Sequence, residues 1–204
     1  MKRGEVLTIG HSVHDFPNFV RLLRRHGVTA VADVRSVPLS RFNPQFNRGS
    51  VERGLHDSDI RYAFLGKELG ARTEDLSCYV DGRVQYERLA KTPEFISGID
   101  RVLRGARTER IAVMCAEREP LDCHRTILVA RVLVEHGLVV GHVHADGRSE
   151  DHDEAMDRLM AGFGLLEDDL FRTRAERLDE ALSRQESRIA YVDDELRENG
   201  TAQR

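Results

Sequence analysis

The sequence predicts an α/β domain of three layers, in which helices flank a mainly parallel sheet, followed by a C-terminal helical extension. Short apolar segments rich in β-branched residues alternate with amphipathic segments of helical period, a pattern typical of parallel sheets covered by helices. From residue 171 onward a heptad-like spacing appears instead. We therefore predict an α/β domain over residues 1–150 and a charged helical extension over residues 151–204.

A strand, a helix and a second strand open the chain. The β-rich run EVLTI at 5–9 ends at Gly10, and apolar residues at helical spacing follow Asp15. A proline in the first turn and Gly27 after the last turn favour a helix between these points. The continuous apolar run at 28–34 is typical of a strand buried on both faces. Together they form a βαβ unit, whose crossover should be right-handed.

A long irregular stretch over residues 36–70 follows, with two prolines and several glycines, and we expect only short helices in it. Loops of this length in compact domains are usually functional or disordered. Regular patterns then return as a helix over 93–103, a strand over 110–115, a helix over 123–136 and a strand over 138–144. This alternation continues that of the first unit and favours one parallel sheet.

The C-terminal segment has apolar or near-apolar residues at steps that alternate between four and three. These residues are Phe171, Ala175, Leu178, Leu182, Gln185, Ile189, Val192 and Leu196. The spacing predicts a long amphipathic helix that begins near Glu167. Its apolar face must be covered, either by the α/β domain or by the same helix of a second chain in a homodimer.

Composition argues against several classes of protein. The formal net charge of −4 disfavours a protein that coats nucleic acid through bulk attraction. No apolar stretch approaches the roughly 20 residues that span a bilayer, so we expect no membrane partner. Cys78, Cys115 and Cys123 are too few, and odd in number, for a disulfide framework. We therefore expect a cytoplasmic protein.

The candidate functional residues follow the carboxyl ends of the predicted strands, where open parallel sheets bind their ligands. The candidate catalytic residues are His11, Asp33, Cys115, Glu117 and His124. The candidate substrate-binding residues are Ser12, Arg35, Cys123 and Arg125 at these ends, and Arg41 in the stretch after the second strand. Because the strand ends share one edge of the sheet, we expect these side chains to converge in one cleft.

Four ordered segments resemble a known family. They are TIGHS at 8–12, VADVRSVPLSR at 31–41, IRYAFLGKELG at 60–70 and VMCAEREPLDCHR at 113–125. These motifs are similar to those of DUF488, a family of domains of unknown function, over roughly residues 5–145. The resemblance implies an α/β domain with a polar cluster around the motifs, and it implies no particular reaction. Tyr62, in the third motif, is a further candidate for substrate binding.

The segment MCAEREPLDCHR at 114–125 allows several interpretations. Asp122 is well placed as the N-cap of the following helix, so that Cys123, His124 and Arg125 would occupy its first turn. Exposed N–H groups and the helix dipole favour an anion there, and Arg125 would add a bidentate clamp. A polar helix start with a small buried cysteine explains the same residues without any function.

Two further interpretations concern the cysteines. The candidate metal ligands are Cys115, Cys123 and His124, with Cys78 or Glu117 as a fourth. The C-x₂₋₄-C spacing is absent, and neighbouring side chains diverge on a helix, so we predict no metal and no cofactor. A phosphatase-like thiolate loop at Cys115 requires an arginine six residues later, where this chain has Leu121.

We favour acid–base chemistry, because it uses the most residues at the shared edge. Glu117, Asp33 and one of His11 or His124 would transfer protons, while Arg35 and Arg125 hold a phosphate. The leading hypothesis is a hydrolase- or transferase-type enzyme that acts on a phosphate-bearing substrate, a nucleotide or nucleic acid. A thiol or metal protein centred on the cysteines is a further alternative.

A non-catalytic nucleotide or nucleic-acid binding module is the main alternative. Arg41, Arg48 and Arg53 are interleaved with Phe42 and Phe46 in the stretch after the second strand. Arginine beside aromatic residues in an irregular loop can grip phosphates and stack bases. The same phenylalanines would equally serve to anchor a solvated loop to the core.

Overall fold

The computed structural model describes residues 5–168 and 170–201 of the chain. The strands are β1 (Glu5–Gly10), β2 (Ala30–Asp33), β3 (Arg61–Phe64), β4 (Tyr79–Val80), β5 (Arg83–Val84), β6 (Ile111–Cys115), β7 (Val139–Val143) and β8 (Ser149–Asp151). Within these residues, six strands form one sheet in the order β3-β2-β6-β1-β7-β8, and β4 and β5 form a separate pair. All neighbours in the large sheet are parallel except β7 and β8.

Helices cover the sheet on both sides. They are α1 (Phe16–Arg25), α2 (Arg48–His56), α3 (Gly66–Leu69), α4 (Tyr86–Leu89), α5 (Pro93–Gly105), α6 (Arg131–Glu135), α7 (His152–Gly162), α8 (Arg174–Ile189) and α9 (Asp194–Thr201). In the described part of the chain, no helix has the length and apolarity needed to cross a bilayer. The predicted α/β class, with a mainly parallel sheet, flanking helices and a C-terminal helix, is confirmed.

Two clusters of buried side chains lie on opposite faces of the sheet. Leu7 and Ile9 of β1 pack in the front cluster, with residues of α1 and α2. Val6 of β1 and Cys115 of β6 belong to the back cluster, with residues of α5 to α8. Successive side chains of a strand point to opposite faces, so both faces of these strands must be apolar. This requirement explains the continuous apolar runs in the sequence.

The first helix begins and ends as its sequence predicts. The Asp15 side chain accepts a hydrogen bond from the backbone N–H of Asn18 at 2.7 Å, and Pro17 lies in the first turn. Gly27 has φ +66°, a left-handed conformation that costs glycine little and ends the helix. The end of α1 therefore directs the chain into β2.

The stretch 36–70 contains more regular structure than predicted. It holds α2 and α3, which are the short helices expected, and also β3, which pairs in parallel with β2. The sequence of β3 gave no strand signal because it has four residues and its side chains are only half-buried or exposed. The antiparallel strand β8, of sequence SED, is polar and was missed for the same reason.

The helix predicted over 123–136 begins later and differently. Cys123 is extended, with φ −140° and ψ 139°, and its carbonyl accepts a hydrogen bond from the N–H of Thr126. Cys123 thus lies before the helix and not in its first turn, and Asp122 is not the helix N-cap as predicted. Asp122 instead ends the 3₁₀ turn Pro120–Asp122, and a π-helix over Arg125–Ala130 precedes α6.

The C-terminal helix is shorter than its heptad-like spacing predicts. It begins at Arg174, after a capping box in which Thr173 and Glu176 exchange hydrogen bonds, and not near Glu167. It ends at Ile189, so the predicted apolar seam is interrupted before α9. Phe171, the first member of that seam, precedes the helix and is exposed.

The apolar face of α8 packs against the chain's own back cluster. Ala181 and Leu182 are buried there. The buried amide of Gln185 donates to the carbonyl oxygen of Leu121 and to Asp122 Oδ1, each at 3.0 Å. The polar member of the seam therefore holds the 3₁₀ turn beside Cys123. A homodimer through this helix stays a prediction, and it would have to leave these contacts intact.

A buried chain of polar side chains connects β1, β7 and α7. The Oγ1 of Thr8 lies 2.8 Å from Nδ1 of His142, and Nε2 of His142 lies 3.1 Å from Nδ1 of His152. Burial, followed by the nearby His152 and Arg125, lowers the pKa of His142 from 6.5 to about 3. His142 is therefore neutral in the folded protein at physiological pH.

Because the folded protein keeps His142 neutral, we expect the protein to lose stability in acid. The unfolded chain binds a proton at His142 below pH 6.5 and the folded chain does not, so stability falls as the pH drops from 6.5 towards 3. Between pH 7 and 5 we expect His142 alone to cost about 2 kcal/mol. Measured by urea unfolding, the loss of unfolding free energy between pH 7 and 5 should be smaller by this amount in His142→Gln than in the wild type. His56 is exposed, so the His56→Gln control should show the same pH dependence as the wild type. Equal slopes of unfolding free energy against pH in all three proteins would contradict the prediction.

Candidate functional site

The predicted site residues gather at one edge of the sheet, but they line two adjoining clefts. The thiol cleft, of about 280 Å³, is lined by Cys115, Glu117, Cys123 and His124, among others. The arginine cleft, of about 380 Å³, is lined by His11, Ser12 and Arg118, among others. Arg35, Val37 and Ala116 line both clefts. The prediction of a single common cleft is therefore wrong.

Asp33 and Arg35 form a buried ion pair between the two clefts. Arg35 donates to Asp33 from Nε at 2.8 Å and from Nη2 at 2.6 Å, and the backbone N–H of Arg35 adds a third bond. The hydroxyl of Tyr62 on β3 donates to Asp33 Oδ2 at 2.8 Å. Asp33 is fully buried and lines neither cleft. Proton transfer by Asp33 is therefore corrected to a positioning role, because its oxygens are occupied by Arg35 and Tyr62.

His11 completes the support of Arg35. Its Nδ1 lies 2.9 Å from the carbonyl oxygen of Ser12, which can only accept, so Nδ1 carries the proton and Nε2 accepts from Arg35 Nη1 at 3.2 Å. The ring stacks on Phe46 with centroids 4.3 Å apart. Burial lowers the pKa of His11 to about 4. His11 is thus a neutral acceptor that orients Arg35, and its predicted proton transfer is not supported by this geometry.

The thiol cleft has a cluster of two cysteines and a histidine at its floor. His124 Nδ1 lies 3.8 Å from Cys123 Sγ and 3.9 Å from Cys115 Sγ. Glu117 Oε2 lies 2.9 Å from Cys123 Sγ, and His124 Nε2 lies 3.1 Å from the carbonyl oxygen of Val34. The strand end of β6 supplies Cys115, and the extended residue before the π-helix turns Cys123 towards it.

The protonation of this cluster is uneven. Burial favours a neutral Cys123 thiol, yet the hydrogen bond from Cys115 and the charges of Arg125 and His124 lower its pKa well below the usual value. The hydrogen bond to Cys123 and full burial raise the pKa of Cys115 well above its usual value. Burial lowers the pKa of His124, but the charge of Cys123 outweighs it and raises that pKa. Desolvation and the charge of Cys123 also raise the pKa of Glu117. Cys123 therefore gives up its proton more readily than Cys115, and Cys115 is unsuited to the predicted nucleophile role.

Arg125 holds the loop after β6 and does not face either cleft. Its guanidinium is fully buried, and its Nη1 donates to the carbonyl oxygen of Glu117 at 2.8 Å. A Cβ at Gly10 would lie 1.9 Å from that same carbonyl oxygen, so the close packing of β1 and this loop requires glycine there. The anion clamp predicted for Arg125 is therefore corrected to a structural clamp on the loop.

The remaining predicted residues are spread around the clefts. Ser12 lines the arginine cleft and has φ +48°, unusual for a residue other than glycine. Tyr62 acts through Asp33, and Arg41 is exposed and lines neither cleft. Each of these three was predicted to bind substrate, and only Ser12 lies where it can contact one directly.

Sequence reasoning missed two residues of the site, Arg118 and Tyr191, and left a third, Phe46, between a base-stacking and an anchoring role. Arg118 lies in the arginine cleft, and it was within the segment at 114–125, so its charge was a usable signal. Phe46 supports His11 by stacking. Tyr191 lines the thiol cleft from the C-terminal segment and lies under the guanidinium of Arg72 at 4.4 Å. No local pattern connects Tyr191 to the cleft, because the contact joins distant parts of the chain.

The family model described as Domain of unknown function DUF488 matches residues 15–132, more than half of the chain. The chain belongs to the DUF488 family. The resemblance seen in the sequence motifs is thus confirmed, although TIGHS at 8–12 lies before the match. No curated protein and no solved structure matches this DUF488 chain. The matched range contains Asp33, Arg35 and all the cluster residues of the thiol cleft.

We expect the Asp33–Arg35 pair to be critical for stability. Asp33→Asn removes the charge and leaves the buried guanidinium of Arg35 unpaired, which should cost about 3–5 kcal/mol of unfolding free energy. Tyr62→Phe is the matched control, because it removes one hydrogen bond from Asp33 and should cost about 1–2 kcal/mol. Urea unfolding of the three proteins measures both values. An Asp33→Asn loss no larger than that of Tyr62→Phe would show that the pair is not critical.

Proposed function

We propose that this DUF488 protein is an enzyme of the hydrolase or transferase type that acts on a phosphate-bearing substrate. The anionic group of the substrate would lie in the arginine cleft and its reacting group in the thiol cleft. The supporting observation is that two arginines line the first cleft, while none of the described residues that line it is acidic. The two clefts share Arg35, so one substrate can contact both.

Arg35 is well prepared to bind an anion. Its side-chain hydrogen bonds use three of the five guanidinium N–H groups, two towards Asp33 and one towards His11. These contacts fix the plane of the guanidinium before a ligand arrives. Little side-chain entropy is then lost when phosphate oxygens accept hydrogen bonds from the remaining N–H groups. Arg118 is exposed, and no carboxylate of the described residues forms an ion pair with it.

Glu117 supports the catalytic part of the proposal. Its carboxylate lies 2.9 Å from Cys123 Sγ in the thiol cleft, two residues after β6, whereas Asp122, the other carboxylate in the described lining, accepts a hydrogen bond from Gln185. Asp33 and His11, predicted to share the proton transfer, are committed to Arg35 instead. Proton transfer to or from the substrate therefore falls to Glu117 in this proposal. A nucleotide or nucleic acid fits the two clefts through its phosphate, which is the only part of the substrate that the arginines specify.

Anion binding can be tested with inorganic pyrophosphate and isothermal titration calorimetry. Arg118→Ala should weaken binding by about 10- to 150-fold, because it removes one charge-assisted hydrogen bond worth roughly 1.5–3 kcal/mol. Arg41→Ala removes an equal charge outside both clefts and should change affinity less than twofold. Equal losses in both variants would mean that net charge alone attracts the anion. No binding to the wild type would reject the arginine cleft as the anion site.

A nucleic-acid binding module is the second candidate, and the exposure of Phe42 favours it. Its side chain is 94% exposed, next to the exposed Arg41, whereas Phe46 is buried. An exposed aromatic ring beside an arginine can stack a base.

Two variants separate the candidates. If the protein is an enzyme, Glu117→Gln should keep affinity for a substrate found in a panel of nucleotides and lower its turnover by about 10²-fold or more. If it is a binding module, Phe42→Ala should weaken binding of a single-stranded oligonucleotide by about 1–3 kcal/mol, with steep salt dependence. Glu117→Gln should then have no effect. Fluorescence anisotropy and product analysis on the same samples measure both outcomes.

A further inference from the structure

The floor of the thiol cleft brings together three side chains with the chemistry of metal ligands. The ligand atoms of Cys115, Cys123 and His124 all lie within 4.8 Å of one another, and all three residues are buried. A tetrahedral zinc ion has Zn–S distances of about 2.3 Å and Zn–N distances of about 2.0–2.1 Å, which places sulfur and nitrogen ligands about 3.6 Å apart. The observed sulfur–nitrogen distances of 3.8 and 3.9 Å are close to this geometry.

The orientation of His124 fits a ligand role. Its Nε2 lies 3.1 Å from the carbonyl oxygen of Val34. A carbonyl oxygen only accepts hydrogen bonds, so Nε2 carries a proton and Nδ1 is the nitrogen directed at both sulfurs. Metal-bound histidines almost always donate their other ring N–H in this way, which fixes the ring and its tautomer. The hydrogen bond to Val34 would therefore hold His124 ready before an ion binds.

The backbone explains why the sequence argued against a metal. That argument assumed that Cys123 and His124 lie on one helix, where neighbouring side chains diverge. Cys123 is instead extended, and the π-helix begins only at Arg125. The change of backbone conformation between residues 123 and 124 turns both side chains towards Cys115. The expectation of no metal therefore rested on a premise that is wrong.

We propose that Cys115, Cys123 and His124 bind one thiophilic divalent cation of the zinc class, with its fourth coordination position open to the thiol cleft. Two thiolates and an imidazole suit zinc better than magnesium or calcium, which prefer oxygen ligands. Three protein ligands and an open position beside a cleft are typical of catalytic rather than structural zinc sites. Each bound thiol releases its proton to solvent as its sulfur joins the ion, and no electron is transferred.

The site goes beyond the proposed function and is tested without turnover. The full-length protein is reduced, stripped with a chelator and titrated with Co²⁺ as the probe. We expect one Co²⁺ per chain, near-ultraviolet absorption from sulfur-to-cobalt charge transfer, visible bands typical of tetrahedral cobalt, and displacement by Zn²⁺. Calorimetry in buffers of different ionisation enthalpy should show proton release on binding. No charge-transfer absorption from a folded protein with three free thiols would overturn the proposal.

Variants locate the site. Cys115→Ser and Cys123→Ser should each weaken Co²⁺ binding by more than the roughly 100-fold that changes outside the ligand set can cost, and each should lower the charge-transfer absorption. Cys78→Ser is the matched control, because Cys78 is equally buried and lies outside the cluster. Loss of binding in Cys78→Ser but not in Cys123→Ser would also overturn the proposal. If a ligand variant fails to fold, Co²⁺ binding by the wild type and by Cys78→Ser still tests the proposal. Pyrophosphate binding tested with Arg118→Ala is independent of these outcomes.

Discussion

The buried ion pair of Asp33 and Arg35 determines how the edge of the sheet is organised. It joins three strands, because Asp33 ends β2, Tyr62 reaches it from β3 and His11 contacts Arg35 after β1. Removing two charges from water is costly, and the cost is offset only when every partner is in place. The fixed guanidinium then lies between two clefts of different chemistry: the described lining of the arginine cleft has no acidic residue, and the thiol cleft has two cysteines and two carboxylates.

The sequence predicted those elements whose signal is local. The strands β1, β2, β6 and β7 are continuous apolar runs because both of their faces are covered, and α1 has a capping residue and a terminal glycine. The edge strands β3 and β8 were missed, since short polar segments become strands only through pairing with a neighbour that is distant in sequence. The extent of α8 was overestimated because heptad spacing continues across a break that the backbone makes at Ala190.

The sequence predicted which residues lie at the site better than it predicted the role of each residue. His11, Asp33, Arg35, Cys115, Glu117, Cys123 and His124 do lie at one edge of the sheet. Their roles depend on burial and on hydrogen-bond partners, neither of which residue type reveals. Arg125 looked like an anion ligand and is instead fully buried against backbone carbonyls. The extended conformation of Cys123 determines whether its sulfur lies near His124. The spacing of apolar residues predicts helices and strands, but it does not predict the backbone conformation of a single residue.

Part of the wall of the thiol cleft comes from a different region of the chain than its floor. The floor residues lie within the range that the family model matches, residues 15–132, whereas Ile189 and Tyr191 come from the C-terminal segment outside it. Gln185 of the same segment also braces the turn beside Cys123. Substitutions in α8 and the residues after it can therefore reshape the entrance and also shift the turn beside Cys123. The shape of the thiol cleft is thus encoded in two separate parts of this chain, of which the family model matches one.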